Sequence, residues 1–295
     1  MQIALENTIS IFEEVVAYET LWGMRNETLR TISAMFKRNR VLPSKLLQQK
    51  RDLFETPKIK EEVTKLLLSK KGFSVCVYGD FQYPKRLREA RHPIELFYYK
   101  GDLGLLESPS ISVVGARKCT NEGRIRTKRL VLGLVEHGYT IVSGLAAGID
   151  TVALTTAMHA KGNVIGVIGT PIDQYYPKEN KDLQDKIASE FLLISQVPFY
   201  RYHTEHFKYK KHYFPQRNET MSALSEATII VEASDTSGTL TQARAALAQK
   251  RKLFILNSCF ENKSITWPKR FEQRGGIRIH TLDDVIKTLP PKNNP

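Results

Sequence analysis

The chain has 295 residues, of which 41% are hydrophobic and 25% charged, so it is long enough to bury a sizeable core, and its composition excludes a disordered or fibrous protein. Its 44 basic residues exceed its 31 acidic residues by 13, and this surplus favours a polyanionic partner because each Lys or Arg placed on a phosphate releases condensed counterions. The same surplus is compatible with a generally basic, soluble surface.

The cysteines and the apolar segments bear on the cellular compartment. Cys76, Cys119 and Cys259 lie far apart and match no metal-ligand spacing. Such a sparse, odd set is typical of a reducing cytoplasm rather than of a disulfide scaffold. The N-terminus has early acids and no basic region, and no apolar run reaches the roughly 20 residues that span a bilayer. We therefore expect a cytoplasmic protein with no membrane segment and no metal.

Residues 1–70 predict a small helical domain. Apolar side chains recur at helical spacing from Leu21 to Phe36, and the pattern returns in residues 61–70. A basic, polar stretch at 37–40 follows the first of these segments. Core packing accounts for the aromatic and methionine side chains.

From residue 71 to residue 290 the chain predicts an α/β domain with a doubly wound, mostly parallel sheet. Residues 73–80 read as a short strand, and a turn, a helix and an extended segment follow. Apolar runs that alternate with helical patterns then indicate parallel strands buried on both faces. These runs occupy residues 111–115, 140–144, 163–169, 191–195, 227–233 and 252–257, before an edge strand and a closing helix in residues 276–289.

Three loops at the carboxyl ends of predicted strands suit an anion, because ligands of doubly wound folds bind beside helix N-termini at that edge. They span residues 113–123, 143–150 and 232–243. A glycine-rich turn between a strand and a helix is often purely structural, but three on one edge indicate a phosphate-bearing ligand. The residues assigned to that ligand are Arg117, Lys118, Ser143, Gly144, Gly148, Ser237, Gly238 and Thr239.

A dinucleotide cofactor is not expected in these loops. Residues 143–150 space their glycines G-x-x-x-G instead of G-x-G-x-x-G, and strand 163–169 ends without the acid that would bind a ribose. The P-loop signature is absent as well. The sequence therefore predicts no cofactor.

Residues 201–218 predict contacts to single-stranded nucleic acid. Cations alternate here with aromatic rings, and cations pair with phosphates while rings stack on unpaired bases. A basic surface loop with incidental aromatics is the alternative, and three histidines of this stretch read as solvated loop residues. The cations are Arg201, Lys208, Lys210, Lys211 and Arg217, and the rings are those of Tyr202, Phe207, Tyr209, Tyr213 and Phe214. We assign DNA contacts to Lys208, Lys210, Lys211, Phe214, Arg217 and Asn218.

Seven motifs in order resemble the DprA/Smf family, whose name stands for DNA-processing protein A. They are YPKRLRE, FYYKGDL, VVGARKCT, IVSGLAAGID, GTPIDQYYPKEN, FPQRN and SGTLTQA. The resemblance implies an extended Rossmann-like fold and a homodimer that binds single-stranded DNA, loads a RecA-type recombinase and has no established catalytic activity. By position it assigns DNA binding to Arg117, Phe214 and Arg217, with Gly144 and Gly148 shaping the pocket.

The chain departs from the family pattern after FPQRN. Glu219 stands where most members have a basic residue, which removes one cation from the expected DNA path. Residues 217–239 and 265–276 resemble a divergent branch found beside phage-defence genes. In some of those loci the DprA-like protein is the antitoxin of a phosphoribosyltransferase toxin. A cognate toxin and a role in defence are therefore alternatives to a recombinase and DNA uptake.

An enzyme is the remaining alternative. The LOG group of nucleoside-monophosphate phosphoribohydrolases resembles this family and carries a G-T-x-x-E motif whose glutamate takes part in the reaction. Gln242 occupies the glutamate position here and cannot transfer a proton, although Asp150, Glu232 and Asp235 are nearby in sequence. We therefore expect no catalytic residues.

Overall fold

One mixed sheet forms the centre of the molecule. The computed structural model describes residues 10–50 and 55–289. Strands in these residues are β1 Ser74–Val77, β2 Leu96–Gly101, β3 Ser110–Val114, β4 Thr140–Ser143, β5 Val164–Ile168, β6 Leu192–Ser195, β7 Ala227–Ile230, β8 Lys252–Leu256 and β9 Ile277–Ile279. They pair in the order β1-β2-β6-β5-β4-β3-β7-β8-β9. β2 is antiparallel to β1 and β6, and all other neighbours are parallel.

Helices precede the sheet and connect its strands. They are α1 Ile11–Gly23, α2 Leu29–Asn39, α3 Pro43–Gln49, α4 Glu55–Leu68, α5 Lys85–Arg88, α6 Asn121–Glu136, α7 Ile149–His159, α8 Lys181–Glu190, α9 Phe199–Thr204, α10 Tyr213–Leu224, α11 Thr239–Ala248, α12 Asn257–Glu261, α13 Trp267–Glu272 and α14 Leu282–Thr288. Turns of 3₁₀ helix occupy Leu103–Glu107, Lys178–Asn180 and Phe207–His212. No helix within the two described ranges is both long and apolar enough to cross a bilayer.

The strand order confirms the doubly wound, mostly parallel sheet expected from the sequence. The central strands are apolar and fully buried, as in residues 110–114 and 164–168. From β3 the chain proceeds to β4 and β5 on one side, and to β7 and β8 on the other. Since parallel crossovers are right-handed, α6 and α7 cover one face and α11 covers the opposite face.

The first four helices pack together and against the sheet. Their buried side chains belong to the same contiguous apolar core as those of the strands. The polar stretch expected at 37–40 instead begins inside α2, where residues 37–39 form the last turn and Arg40 caps it in a left-handed conformation. The helical pattern of this region is confirmed, whereas a domain boundary at residue 70 stays a prediction.

A buried carboxylate joins α1 to the sheet side of this core. Glu19 accepts hydrogen bonds from the backbone N–H groups of Phe199 (2.8 Å) and Tyr200 (2.9 Å), at the start of α9, and from the hydroxyl of Tyr98 on β2. Burial raises the pKa of Glu19 to about 7 although these donors favour the charged form. The helical region is therefore anchored by specific polar contacts in addition to apolar packing.

The strand order also brings the three anion-binding loops to one place. β4 and β7 flank β3 and run parallel to it, so the loops after these strands leave the same edge of the sheet. They lead into α6, α7 and α11 at the point where the strand order reverses. Doubly wound folds bind their ligands at this switch point.

Candidate functional site

A cleft of about 490 Å³ opens above the carboxyl ends of β3, β4 and β7. Two exposed cations of the first loop, Arg117 and Lys118, line it together with Phe214 and Asn218 of α10. The turn at residues 237–239, before α11, forms another part of the wall. The structure thus brings together the first loop, the third loop and the FPQRN motif, as the sequence predicted.

The first loop places positive charge at the cleft, but the N-terminus of the helix that follows it is already capped by side chains of the protein. Thr120 caps α6, because its hydroxyl oxygen accepts a hydrogen bond from the N–H of Gly123 (2.9 Å). The hydroxyl of Thr120 in turn donates to the carboxylate of Glu232 (2.8 Å), and so does its N–H (3.2 Å). Glu232 therefore occupies the position that an anion would take at α6. Arg117 and Lys118 remain exposed beside it.

In the second loop, a carboxylate of the protein itself occupies the place of a ligand anion. The carboxylate of Asp150, in the first turn of α7, accepts hydrogen bonds from the N–H groups of Gly144 (3.2 Å) and Ala146 (3.4 Å). The hydroxyl of Ser143 is buried and donates to the carbonyl of Val113 (2.7 Å). The prediction that Ser143 and the Gly144 N–H bind a ligand phosphate is therefore wrong, because both donors are used inside the protein.

The glycines of this loop serve internal packing. A Cβ on Gly144 would collide with the guanidinium of Arg217, and one on Gly148 would collide with the carbonyls of Ala116 and Arg117. Gly148 also has φ +81°, a conformation that side chains disfavour. Gly148 lets the start of α7 approach the first loop closely, and Gly144 lets Arg217 of α10 approach the second loop.

Arg217 is a buried clamp of the cleft floor. It is only 5% exposed, and its Nη1 donates to the carbonyls of Gly144 and Val167, the latter at 2.7 Å. Burial lowers the pKa of Arg217 to about 10, and the nearby charge of Asp150 opposes that shift, so the guanidinium stays positive at neutral pH. Burial in turn raises the pKa of Asp150, whereas Arg217 acts to lower it. The direct DNA contact assigned to Arg217 does not fit this geometry.

The third loop agrees best with the sequence prediction. The hydroxyl of Ser237 donates to that of Thr239 (2.9 Å), which donates to the carbonyl of Gly115 (3.2 Å) and ties the turn to the first loop. Asn218 donates to the carbonyl of Gly238 (3.2 Å), so α10 supports the same turn. Gly238 is exposed, and the first turn of α11 contains no acid. An anion can approach the N-terminus of α11 from the cleft.

The basic and aromatic stretch forms the 3₁₀ turn directly before α10. Phe207 is 75% exposed and Tyr209 is 46% exposed, so both rings can receive a base. The ammonium of Lys208 lies 5.0 Å from the ring centroid of Tyr209. The arrangement is a surface of paired cations and rings that leads toward the cleft at Phe214.

The remaining members of this stretch differ in their accessibility. Lys211 is exposed, whereas Lys210 is half-buried with its ammonium 4.4 Å from the ring centroid of Tyr202. Tyr213 is only 3% exposed and packs on Tyr202 with the ring centroids 5.5 Å apart. Arg201 pairs with Glu205, the residue that ends its own helix (3.6 Å). Tyr213, one of the five rings of this stretch, is therefore a core residue and is not available to stack on a base.

Phe214 presents a ring to the cleft. It is half-buried, with its centroid 5.1 Å from that of Tyr176 and 5.7 Å from the guanidinium carbon of Arg117. Tyr176 is 47% exposed. Sequence reasoning singled out Phe214 and Arg117 but missed Tyr176, which lies in the matched segment GTPIDQYYPKEN and carried no signal beyond its aromatic side chain.

The acids near the cleft have structural partners, and Gln242 lies at the buried base of the cleft. Gln242 is 0% exposed. Asp150 and Glu232 accept backbone hydrogen bonds as described, and Asp235 accepts from the N–H (3.0 Å) and hydroxyl (3.1 Å) of Thr266. In the parts of the chain that the structure covers, no group of three His, Cys, Asp or Glu side chains could hold a metal ion.

Glu219, the departure from the family pattern, contacts a neighbouring element. Its carboxylate lies 2.9 Å from Nδ1 of His92. The side chain therefore links α10 to the segment after α5 and does not lie free beside the cleft.

Comparison with known proteins agrees with this architecture. A family model described as DNA recombination-mediator protein A matches residues 74–290. The DNA processing protein DprA of Bacillus subtilis is 33% identical over 223 residues, which cover 75% of this chain and 73% of that protein. The X-ray structure of DNA processing protein A from Streptococcus pneumoniae aligns with a TM-score of 0.79 and 28% identity, over 96% of this chain and 99% of the other.

A further solved structure is that of DNA processing protein A from Helicobacter pylori, which was determined to describe its mode of single-stranded DNA binding. It aligns with a TM-score of 0.61 and 28% identity, over 73% of this chain and 94% of the other.

Proposed function

Because the chain belongs to the DNA recombination-mediator protein A family, we propose that it binds single-stranded DNA in the cleft at the carboxyl edge of its sheet. One observation carries this proposal: the exposed cations Arg117 and Lys118 share a cleft with the ring of Phe214. Cations for phosphates beside a ring for bases suit an unpaired strand, because a duplex hides the base faces. The Helicobacter pylori relative, described as a single-stranded DNA-binding protein, supports the same ligand.

The strand contacts two kinds of groups in this proposal. Its phosphates lie near Arg117 and Lys118 and near the N-terminus of α11, where Gly238 is exposed in the turn at residues 237–239. Its bases stack on Phe214 and on the exposed rings of the 3₁₀ turn at residues 207–212, and Lys208, Lys210 and Lys211 add charge there. Arg217 supports the site from below without contacting the ligand.

The protein acts on DNA without catalysis in this proposal. Gln242 has no carboxylate although it lies at the buried base of the cleft, and Asp150, Glu232 and Asp235 hold backbone or hydroxyl donors of the protein. Incubation with the common nucleoside monophosphates, followed by chromatography, should therefore yield no free base. Base released in proportion to the protein would contradict this part of the proposal.

The names of its relatives support a role in DNA processing or recombination. A RecA-type recombinase and a homodimer follow from the family resemblance and stay predictions. A cognate toxin, with a role in phage defence as an antitoxin, also stays a prediction.

The proposal is tested by measuring the affinity for matched single-stranded and double-stranded DNA across a series of salt concentrations. About six phosphate contacts on a single strand give a log–log salt slope near −4, since each contact contributes roughly −0.7. We expect tighter binding of the single strand and a slope of this size. Equal affinities, or binding that does not respond to salt, would contradict the proposal.

A further inference from the structure

A further exposed aromatic ring lies on a hydrogen-bonded loop away from the cleft. Phe81 is 101% exposed, which means that its ring is as free as in an extended peptide. The loop that carries it is fixed: Asp80 accepts a side-chain hydrogen bond from the N–H of Val77 (3.1 Å), and Tyr83 donates its hydroxyl to the carbonyl of Ile94. The backbone therefore holds this ring in water, where a large apolar side chain gains nothing from folding.

Another ring and several cations lie on the same segment of chain as Phe81. Tyr78 is 40% exposed, and the guanidinium carbon of Arg88 lies 5.2 Å from its ring centroid. Arg88 also donates to the carbonyl of Tyr78 (3.1 Å), which fixes the stacked arrangement. Lys85 and Arg91 are exposed on the same segment. This is the combination of rings and cations that binds the bases and phosphates of an unpaired strand.

Helix α10 connects this loop to the cleft. Phe214 stands in its first turn at the cleft, and Leu224 at its other end lines a notch of about 340 Å³ beside Phe81. Arg86 ties α5 to that end, donating to the carbonyl of Leu224 (3.4 Å) and pairing with Glu226 (2.8 Å).

Positive charge is also exposed on the helix that packs along α10. Helix α11 packs along α10, and Arg244 is exposed on it, with Lys250 exposed just beyond its end. At about 1.5 Å per residue, α10 is about 18 Å long, which is the order of the distance that a bridging strand must cover.

We propose that DNA held in the cleft continues over the exposed side of α11, which packs on α10, to a second contact, at which Phe81 stacks on a base and Lys85 and Arg88 lie near phosphates. This inference rests on the proposed single-stranded DNA binding and extends it to a longer site. A stacked strand advances about 3.4 Å per nucleotide, so the second contact requires at least about five nucleotides beyond those in the cleft.

The experiment measures the affinity of the full chain for thymidylate strands of increasing length. With the wild-type protein the affinity should rise in a further step once a strand spans both contacts. Phe81→Ala should remove that step and lower the affinity for long strands roughly 5- to 100-fold, since stacking on one ring has about this effect. The affinity for short strands should not change.

Matched variants separate stacking from other roles of this ring. Phe81→Trp should retain the affinity for long strands, whereas Phe81→Leu, which keeps an apolar side chain without a stacking face, should lose it. Lys85→Ala should make the salt slope shallower by about 0.7 for long strands only. Leu68→Ala, at an exposed apolar position on α4, is the control and should bind every length like the wild-type protein.

Three results distinguish the possible failures. If Phe81→Ala binds long strands as tightly as the wild-type protein, the second contact is absent while binding in the cleft stands. If the variant alters self-association in sedimentation experiments and leaves DNA affinity unchanged, the ring serves a protein contact and the inference is overturned. If the wild-type protein binds no single strand of any length, the proposed function itself fails.

Discussion

Arg117 is the cleft residue that we most expect to bind a phosphate of the DNA. It is exposed at the end of β3, and its guanidinium carbon lies 5.7 Å from the ring centroid of Phe214. Arg117→Ala should lower the affinity for single strands of all sequences alike. It should also make the salt slope of binding shallower by about 0.7, because one phosphate contact is lost. Salt titrations of both proteins measure this change. Arg124→Ala, which removes an exposed charge from α6, is the control and should leave the slope unchanged.

Arg217 should behave differently although it also faces the cleft. Arg217→Ala leaves the buried carboxylate of Asp150 without its cationic partner and removes the bonds to Gly144 and Val167. Leaving these two buried carbonyls without their donor costs about 1–3 kcal/mol each, so we expect a large loss of unfolding free energy in urea titrations. A variant as stable as the wild-type protein, with affinity lowered as in Arg117→Ala, would instead identify Arg217 as a phosphate contact.

Glu95 gives the stability a defined dependence on pH. Burial raises the pKa of this carboxyl from 4.5 to about 8. The folded state then binds the proton more tightly than the unfolded state, so the contribution of Glu95 to stability is complete below about pH 4.5 and is lost as the pH rises to about 8. Glu95→Gln should remove this decline, and above pH 8 it should be more stable than the wild-type protein.

Urea titrations at several pH values test this prediction. Glu89→Gln, at an exposed position of the same segment, is the control and should leave the pH dependence intact. The contradicting result is a fall in unfolding free energy between pH 4.5 and pH 8 that is no larger in the wild-type protein than in Glu95→Gln. It would show that Glu95 is ionised in the folded protein at neutral pH.

Sequence patterns located the site residues better than they assigned their roles. Arg117 and Phe214 line one cleft, as the family resemblance implied, and the first and third loops meet there because motifs at strand ends converge wherever parallel strands are neighbours. The burial of Arg217 was not foreseeable, since the carbonyls of Gly144 and Val167 to which it donates lie far from it in the sequence and nothing local marks these contacts. The same holds for Glu232, which reaches the helix cap at Thr120 only through the fold.

At the scale of secondary-structure elements, the three helix N-termini at the cleft illustrate this limit. Each was expected to receive an anion because each follows a glycine-containing turn. Glu232 serves α6 and Asp150 serves α7, which leaves the turn at residues 237–239 before α11 as the most open of the three. A sequence pattern predicts the turn, but only the packed structure shows whether a side chain of the protein already fills it.

The N-terminal turn of α10 supplies the stacking ring of the cleft. Phe214→Ala should make the free energy of binding to single-stranded DNA less favourable by about 1–3 kcal/mol. The salt slope should change little, because stacking releases no counterions. Salt titrations measure both quantities at once, and Phe214→Trp, which keeps a stacking face, is the matched variant. If Phe214→Ala unfolds the protein while its folded fraction binds DNA normally, Phe214 is a core residue and not a DNA contact.

For the whole molecule, the sequence was sufficient for the fold class and for almost every strand. Continuous apolar runs such as residues 163–169 are buried parallel strands, as expected from their lack of alternation. The order of the strands along the sheet was not derivable from local pattern. That order flanks β3 with β4 and β7, and the cleft exists because of it.

The central claim is that the cleft at the carboxyl edge of the sheet is where unpaired DNA binds. Hydrogen–deuterium exchange of the full chain, with a single strand and with the matched duplex at equal concentration, tests it most directly. We expect the single strand to slow exchange in residues 115–120, 207–218 and 236–240, and the duplex to slow it far less. Protection confined to α1–α4, or equal protection by the duplex, would contradict the account.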